Sequence, residues 1–296
     1  MKKAWKETFM QGVFFTAACA SVLAVTLICV FLFANGIPGM KEIGLLEFLG
    51  GVSWKPSNDI FGIFPMIVGS LYVTAGAILV GVPIGILTSV FMAKYCPRKI
   101  YPLLKSMTEL LAGIPSVIYG FFGIVVLVPM IRDLSRWMRA IGAINQSAKG
   151  GSILTASILL GIMILPTIIG VTESAIRAVP SAYYEGALAL GATHERSIFS
   201  VVLPAAKSGV VAGIVLGIGR AVGETMAVIM VAGNQPRLPE SILDGVRTLT
   251  ANIVMEMGYA EGLHREALIA TAVVLFVFIL LINLSVSLLS RREKYE

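Results

Sequence analysis

The chain has 296 residues, 57% hydrophobic and 14% charged, with a mean hydropathy of +0.88 and a formal net charge of +6. A soluble globule of this size has no means of covering so much apolar surface, so lipid is the solvent for most of the chain. The pI near 9.3 suits an ordinary membrane protein and gives no ground for expecting a nucleic-acid partner, and three cysteines make no disulfide framework.

Charge-free runs locate the membrane crossings, because about 20 apolar residues in helix span a hydrocarbon core of roughly 30 Å. The first run, Gly12 to Ala34, follows Lys2, Lys3 and Lys6. It is longer than the ~7–15-residue core of a signal peptide and ends at the poor cleavage sequence Phe33-Ala34-Asn35, so it reads as a retained anchor. Cys19 and Cys29 lie inside it and Cys96 on the inner side, as small apolar fillers. Residues 35 to 59 form an outer loop in which Trp54, beside Pro56, is expected at the membrane interface. The second run is Ile60 to Ala93, and a short basic loop, residues 94 to 109, leads to the third, Leu110 to Ile131.

Arg132, Arg136, Arg139 and Lys149 follow on the outer side, against the usual charge bias. They read either as a device that concentrates anions or as the solvent face of an interfacial helix. The fourth run, Gly150 to Thr172, leads into a moderately polar segment, Glu173 to Lys207, bounded by Pro180 and Pro204. That segment reads as two short helices joined by a turn at Gly191. The fifth run, Ser208 to Gly233, is broken only by Arg220 and Glu224. In the outer loop after it, Leu243, Val246, Leu249, Ile253 and Met257 recur at helical spacing, so part of the loop is expected as an amphipathic helix. The sixth run, Ala267 to Ser290, ends at Arg291, Arg292 and Lys294. Six crossings put both termini on one side, and the basic ends make that side the cytoplasm of a prokaryotic cell.

The segment after the fourth run carries the most specific motif. It reads Glu185-Gly186-Ala187, three residues, Gly191, nine residues, Val201, one residue, Leu203-Pro204. It resembles the coupling loop of ABC importer permeases, with Gly186 in place of an alanine and Val201 in place of an isoleucine. A short helix with small residues enters a groove closely, the glycine turns sharply and the proline ends the second helix, which suits a rigid knob. The chain has no Gly-Lys-Ser/Thr phosphate loop of its own.

Three further strings narrow the resemblance: Phe61-Gly62-Ile63-Phe64-Pro65, Gly113-Ile114-Pro115-Ser116-Val117-Ile118-Tyr119-Gly120, and Gly219-Arg220-Ala221-Val222-Gly223-Glu224-Thr225-Met226-Ala227-Val228. From about residue 50 to the C-terminus the chain is similar to the PstC-type permeases of phosphate ABC importers. The resemblance implies an all-α membrane protein with six transmembrane helices in the type-1 ABC importer permease fold. Residues 1–60 would then supply the N-terminal helix and outer loop, and residues 61–296 the permease domain. It implies a PstA-type sister permease, a PstB-type ATPase dimer that holds ATP and magnesium, and an extracytoplasmic PstS-type phosphate-binding protein. No cofactor or metal is expected on this chain, which is expected to be a transport subunit and not an enzyme.

The fifth run also has a physical reading. Gly209, Gly213 and Gly217 bare one strip of a helix for close packing, and 213, 217, 220 and 224 fall on nearly one face if the helix continues. An intramembrane arginine costs at least about 2.5–3.5 kcal/mol, so Arg220 is expected to face protein or a cavity, neutralised by Glu224 one turn on. Two readings stand: a path in which Arg220 exchanges Glu224 for phosphate, and a salt bridge that locks two helices. Pro115 frees backbone groups near the hydroxyls of Ser116 and Tyr119, as part of the path or as a plain kink; Thr225 adds a third hydroxyl to the candidate path.

Other readings are a permease for another oxyanion, and a secondary transporter, for which Glu224 is the one strong intramembrane carboxylate. An intramembrane hydrolase built on Gly150-Gly151-Ser152 is disfavoured, because His194 and His264 are expected on opposite sides of the membrane.

Overall fold

A computed structural model describes residues 2–144 and 150–292, with side chains described over 9–144 and 150–285. Lys149 and Lys294 lie outside the described residues. Helix α1, Lys2–Ile43, runs for 42 residues through Pro38. At 1.5 Å per residue that is about 63 Å, roughly twice a hydrocarbon core, so the expected crossing is its middle. Helix α2, Leu45–Gly50, precedes a small hairpin in which β1, Trp54–Lys55, pairs antiparallel with β2, Ile60–Phe61. Helix α3, Phe64–Val90, is prolonged by a π-helical turn, Phe91–Tyr95.

The third crossing differs from its apolar run. Helix α4, Tyr101–Gly113, stops at an extended Ile114 and Pro115, and α5, Ser116–Phe122, starts anew. A π-helical turn, Gly123–Leu127, joins α5 to α6, Val128–Ala140. The crossing is therefore Ser116–Ala140 and not Leu110 to Ile131. Hydropathy reports what faces lipid and is blind to a backbone break, and Pro115 disfavours helix at the residue before it.

Helix α7, Ile153–Ala178, starts at a Ser152 cap whose Oγ accepts from the Thr155 N–H at 3.2 Å. Helices α8, Ser181–Ala189, α9, His194–Ser197, and α10, Leu203–Ala205, make the short helical segment after it. Helix α11, Lys207–Gly223, leaves that segment at a 71° bend, and α12, Met226–Val231, follows a break. Helix α13, Leu249–Glu256, lies in the next loop, and α14, Gly262–Arg292, completes the chain. Among the described residues five helices are long and apolar enough to cross a membrane, and the bent pair containing α11 makes six when it is taken as one span.

The heavily buried α7 is the axis of the bundle. Gly76, Gly81 and Gly85 of α3 lie against Ser157, Ile164 and Ile168, which makes the two helices parallel. Gly209, Gly213 and Gly217 of α11 lie against Ala175, Thr172 and Ile168, which makes those two antiparallel. The glycine strip read from the sequence thus seats α11 on α7, where small residues let backbones approach. Helix α1 packs antiparallel on α14, with Gly36 against Ala270 and Gly39 against Glu266, so both ends of the described chain lie at one end of the bundle. That end is called terminal below, and the other the hairpin end.

Trp54 is 6% exposed and does not sit free at an interface. It packs edge-on to Phe61, and its Nε1 donates to Glu256 Oε2 at 2.8 Å. Glu256 also receives Arg247 at 2.5 Å and His264 at 2.9 Å, so one buried carboxylate ties the hairpin, α13 and the first turn of α14 together. Part of the expected amphipathic stretch is helical as α13, and it buries Asn252 and Glu256 along with Leu249.

Candidate functional site

The expected Arg220–Glu224 pair is not stacked on one helix. Helix α11 ends at Gly223, and Glu224 is extended, with φ −69° and ψ 132°. Gly219 and Gly223 weaken the helix there, and three interactions take over from its bonding. The Glu224 carboxylate accepts from the Ala227 N–H at 3.1 Å, capping the first turn of α12. Its carbonyl accepts from Thr250 Oγ1 at 3.1 Å, and its N–H reaches Ala221 O at 3.4 Å. No ion pair joins Arg220 to Glu224. Arg220 is half-buried, and among the described residues no hydrogen-bond acceptor meets its guanidinium.

A second break faces the first. Gly120 of α5 lies against Ala227 and Met230 of α12. Tyr119 is buried, and its hydroxyl donates to Leu111 O at 2.8 Å, satisfying a carbonyl freed where α4 ends. Ser116, the first residue of α5, is half-buried. Thr225, also half-buried, donates to Gly223 O at 3.3 Å. Of the five path residues named from sequence, Ser116 and Tyr119 lie on α5, Arg220 lies in the last turn of α11, and Glu224 and Thr225 lie in the break before α12, which packs on α5.

The loop motif folds as its residues dictate. Gly191 has φ +84°, and the Ala192 N–H to Ala187 O and Gly191 N–H to Leu188 O bonds, 3.1 and 2.9 Å, close the end of α8. Thr193 then caps α9 by accepting from the Arg196 N–H at 3.3 Å. Glu185 and Gly186 are exposed and Ala187 is buried, while Leu188 and Leu190, 91% exposed, project from the tip. Leu203 and Pro204 form α10, just before the bend into α11. Tyr184 meets His194 Nδ1 at 2.6 Å and holds α8 to α9.

Sequence reasoning missed a buried carboxylate near this loop. Glu173 was expected in a polar segment, yet it lies in the last turns of α7, only 1% exposed. It accepts from Tyr101 Oη at 2.7 Å, Lys105 Nζ at 2.9 Å and Arg177 Nε at 2.6 Å. The Glu173 hydrogen bond raises Lys105 above its usual value against the opposing pull of partial burial, and raises Tyr101 likewise. The i,i+4 spacing of Glu173 and Arg177 was the available signal. Among the described residues no group of His, Cys, Asp and Glu is placed to hold a metal. Arg132 and Arg136 flank Asp133 on α6, at 3.9 and 3.2 Å.

An apolar helical bundle with two broken crossings packed together, a half-buried arginine beside one break, and an exposed helical knob at one end, has the makings of a membrane transport permease. Residues 81–295 match the family described as binding-protein-dependent transport system inner membrane component, and the chain belongs to that family. It is 36% identical over 294 residues to the probable ABC transporter permease protein YqgH of Bacillus subtilis, covering 96% of this chain and 92% of that one. It is 35% identical over 280 residues to the phosphate transport system permease protein PstC of Mesorhizobium japonicum, covering 90% and 85%.

Among solved structures, the MetNI methionine ABC transporter superposes with a TM-score of 0.58 at 20% identity, over 81% of this chain and 99% of that one. A bacterial alginate ABC transporter, in complex with its alginate pentasaccharide-bound periplasmic protein, superposes at 0.57 and 17% identity, over 93% and 94%. The fold is the type-1 ABC importer permease fold, and the chain is a multi-pass inner-membrane transport subunit.

Proposed function

We propose that this chain is one of two permease subunits of an ATP-driven importer of inorganic phosphate. The observation that carries the reading is Arg220, a half-buried intramembrane cation with no counter-ion among the described residues, in the last turn of α11 before its break. An intramembrane charge is costly and is kept where it faces a cavity, a partner or a path, and guanidinium is the side chain that best matches phosphate oxygens. Ser116, Thr225 and Tyr119 line the path beside Arg220. Glu224, held at the Ala227 N–H, limits how tightly an anion settles there. The relatives named as phosphate permeases support the substrate.

The knob formed by Glu185, Gly186, Ala187, Gly191, Leu203 and Pro204 docks on an ATPase dimer of PstB type, which holds ATP and magnesium. The exposed Leu188 and Leu190 give the contact its apolar surface. A PstA-type permease completes the path, and a PstS-type binding protein delivers phosphate at the hairpin end. Both termini are cytoplasmic, residues 1–60 supply the N-terminal transmembrane helix and extracytoplasmic loop, and 61–296 form the permease domain. The test is ATP-driven uptake of radiolabelled phosphate by the co-purified complex, with sulfate and molybdate as competitors. Excess unlabelled phosphate should suppress the signal and the other oxyanions should not; suppression by sulfate or molybdate would reassign the substrate.

A further inference from the structure

Helix α4 is weakly anchored. It buries none of its residues, and it joins the bundle chiefly along α7. Its polar anchor is Glu173, which takes hydrogen bonds from Tyr101 and Lys105 of α4 and from Arg177 of its own helix. Arg177 extends the cluster in two directions: its guanidinium lies 4.2 Å from the Tyr101 ring centroid, and its NH2 donates to Met92 O at 2.9 Å in the turn that ends α3. One carboxylate therefore pins α3, α4 and α7 at the terminal end.

The two ends of this assembly differ in what they meet. Three residues beyond Arg177, Pro180 opens α8 and the exposed knob. At the far end of α4, Leu111 O holds the Tyr119 hydroxyl, and Pro115 and Ser116 begin the crossing that packs on α12. A rigid connection from knob to path thus runs through α7, Glu173, α4 and the α4–α5 corner.

We propose that Glu173 is a positioning residue that makes α4 move with the end of α7, so that displacement of the knob reaches Ser116 and Tyr119. The inference rests on the reading of the knob as the ATPase dock. A buried carboxylate with three charge-assisted partners resists separation, because leaving any partner behind strands a charge away from water. An apolar contact would let α4 slide, whereas this cluster fixes both distance and register.

The test uses the permease pair with its ATPase in proteoliposomes, in a background whose three native cysteines are replaced. Spin labels are placed at exposed Leu103 of α4 and exposed Ser174 of α7. In the otherwise unaltered protein a single narrow distance is expected without nucleotide and with a non-hydrolysable ATP analogue. In Glu173→Gln the distribution should broaden, and phosphate moved per ATP hydrolysed should fall at least about tenfold, the scale of losing hydrogen bonds to a charge, while the ATPase stays bound. Tyr101→Phe, which keeps both ion pairs, guards against misfolding and should broaden the distance less and cost a few-fold in coupling. The proposal is overturned if Glu173→Gln leaves distance and coupling unchanged, or if it releases the ATPase with the distance unchanged. Failure of the docking reading shows separately, as an ATPase whose binding no change at Gly191 affects.

Discussion

Replacing Gly191 by valine isolates a backbone effect at the knob. Gly191 has φ +84°, and no atom lies within 4 Å of where its Cβ would sit, so the substitution meets no neighbour. What remains is the left-handed backbone, which costs an L-residue roughly 1–2 kcal/mol, and a β-branched side chain falls at the upper end. The turn is held by three backbone hydrogen bonds, from Leu190, Gly191 and Ala192. A penalty of that size reduces the docking-competent population about 5- to 30-fold. Titrating labelled ATPase onto the purified permease should show a weakening in that range for Gly191→Val. Gly191→Asn, which tolerates the left-handed region, should bind much closer to the unaltered protein. Unchanged binding by Gly191→Val, or equal weakening by both variants, would refute the backbone argument.

Gly213→Leu should force α11 off α7, because its Cβ alone would stand 2.9 Å from Thr172 Oγ1 and 3.4 Å from the Ile168 carbonyl. Overpacking of this kind costs about 1–3 kcal/mol, and thermal unfolding in detergent should register the loss. At the hairpin end, Trp54→Phe keeps an aromatic side chain but removes the donor to Glu256 Oε2 along with the second ring of the indole. About 1–3 kcal/mol of stability should go with it, and chemical denaturation in detergent, compared with the double variant Trp54→Phe and Glu256→Gln, measures the part due to the buried carboxylate.

The crossings were legible because lipid imposes long apolar runs, and the knob because Gly191 and Pro204 fix its turn and its end. The breaks were harder to read. The run from Leu110 to Ile131 is apolar throughout, yet Pro115 divides it, and hydropathy does not distinguish a continuous helix from two that meet. Arg220 and Glu224 were placed on one face by assuming helix through Gly223. The capping of α12 by Glu224 and the Thr250 contact, 26 residues away, are tertiary and leave no trace in local spacing. The same holds for Glu256, whose partners include Trp54 at a separation of 202 residues. Glu173 was read as the first residue of a moderately polar segment because it ends an apolar run, yet it belongs to α7 and is buried beneath partners on α4.

The central claim is that Arg220 is the charge that meets phosphate in a path this chain helps to form. The measurement is ATP-driven uptake of radiolabelled phosphate into proteoliposomes holding the full complex, beside pull-down of the ATPase, for the unaltered chain and for Arg220→Ala. Removing a charge-assisted hydrogen bond worth ~1.5–3 kcal/mol should lower uptake by at least about tenfold while assembly and ATPase binding persist. Uptake at the unaltered rate by a fully assembled Arg220→Ala complex would contradict the account.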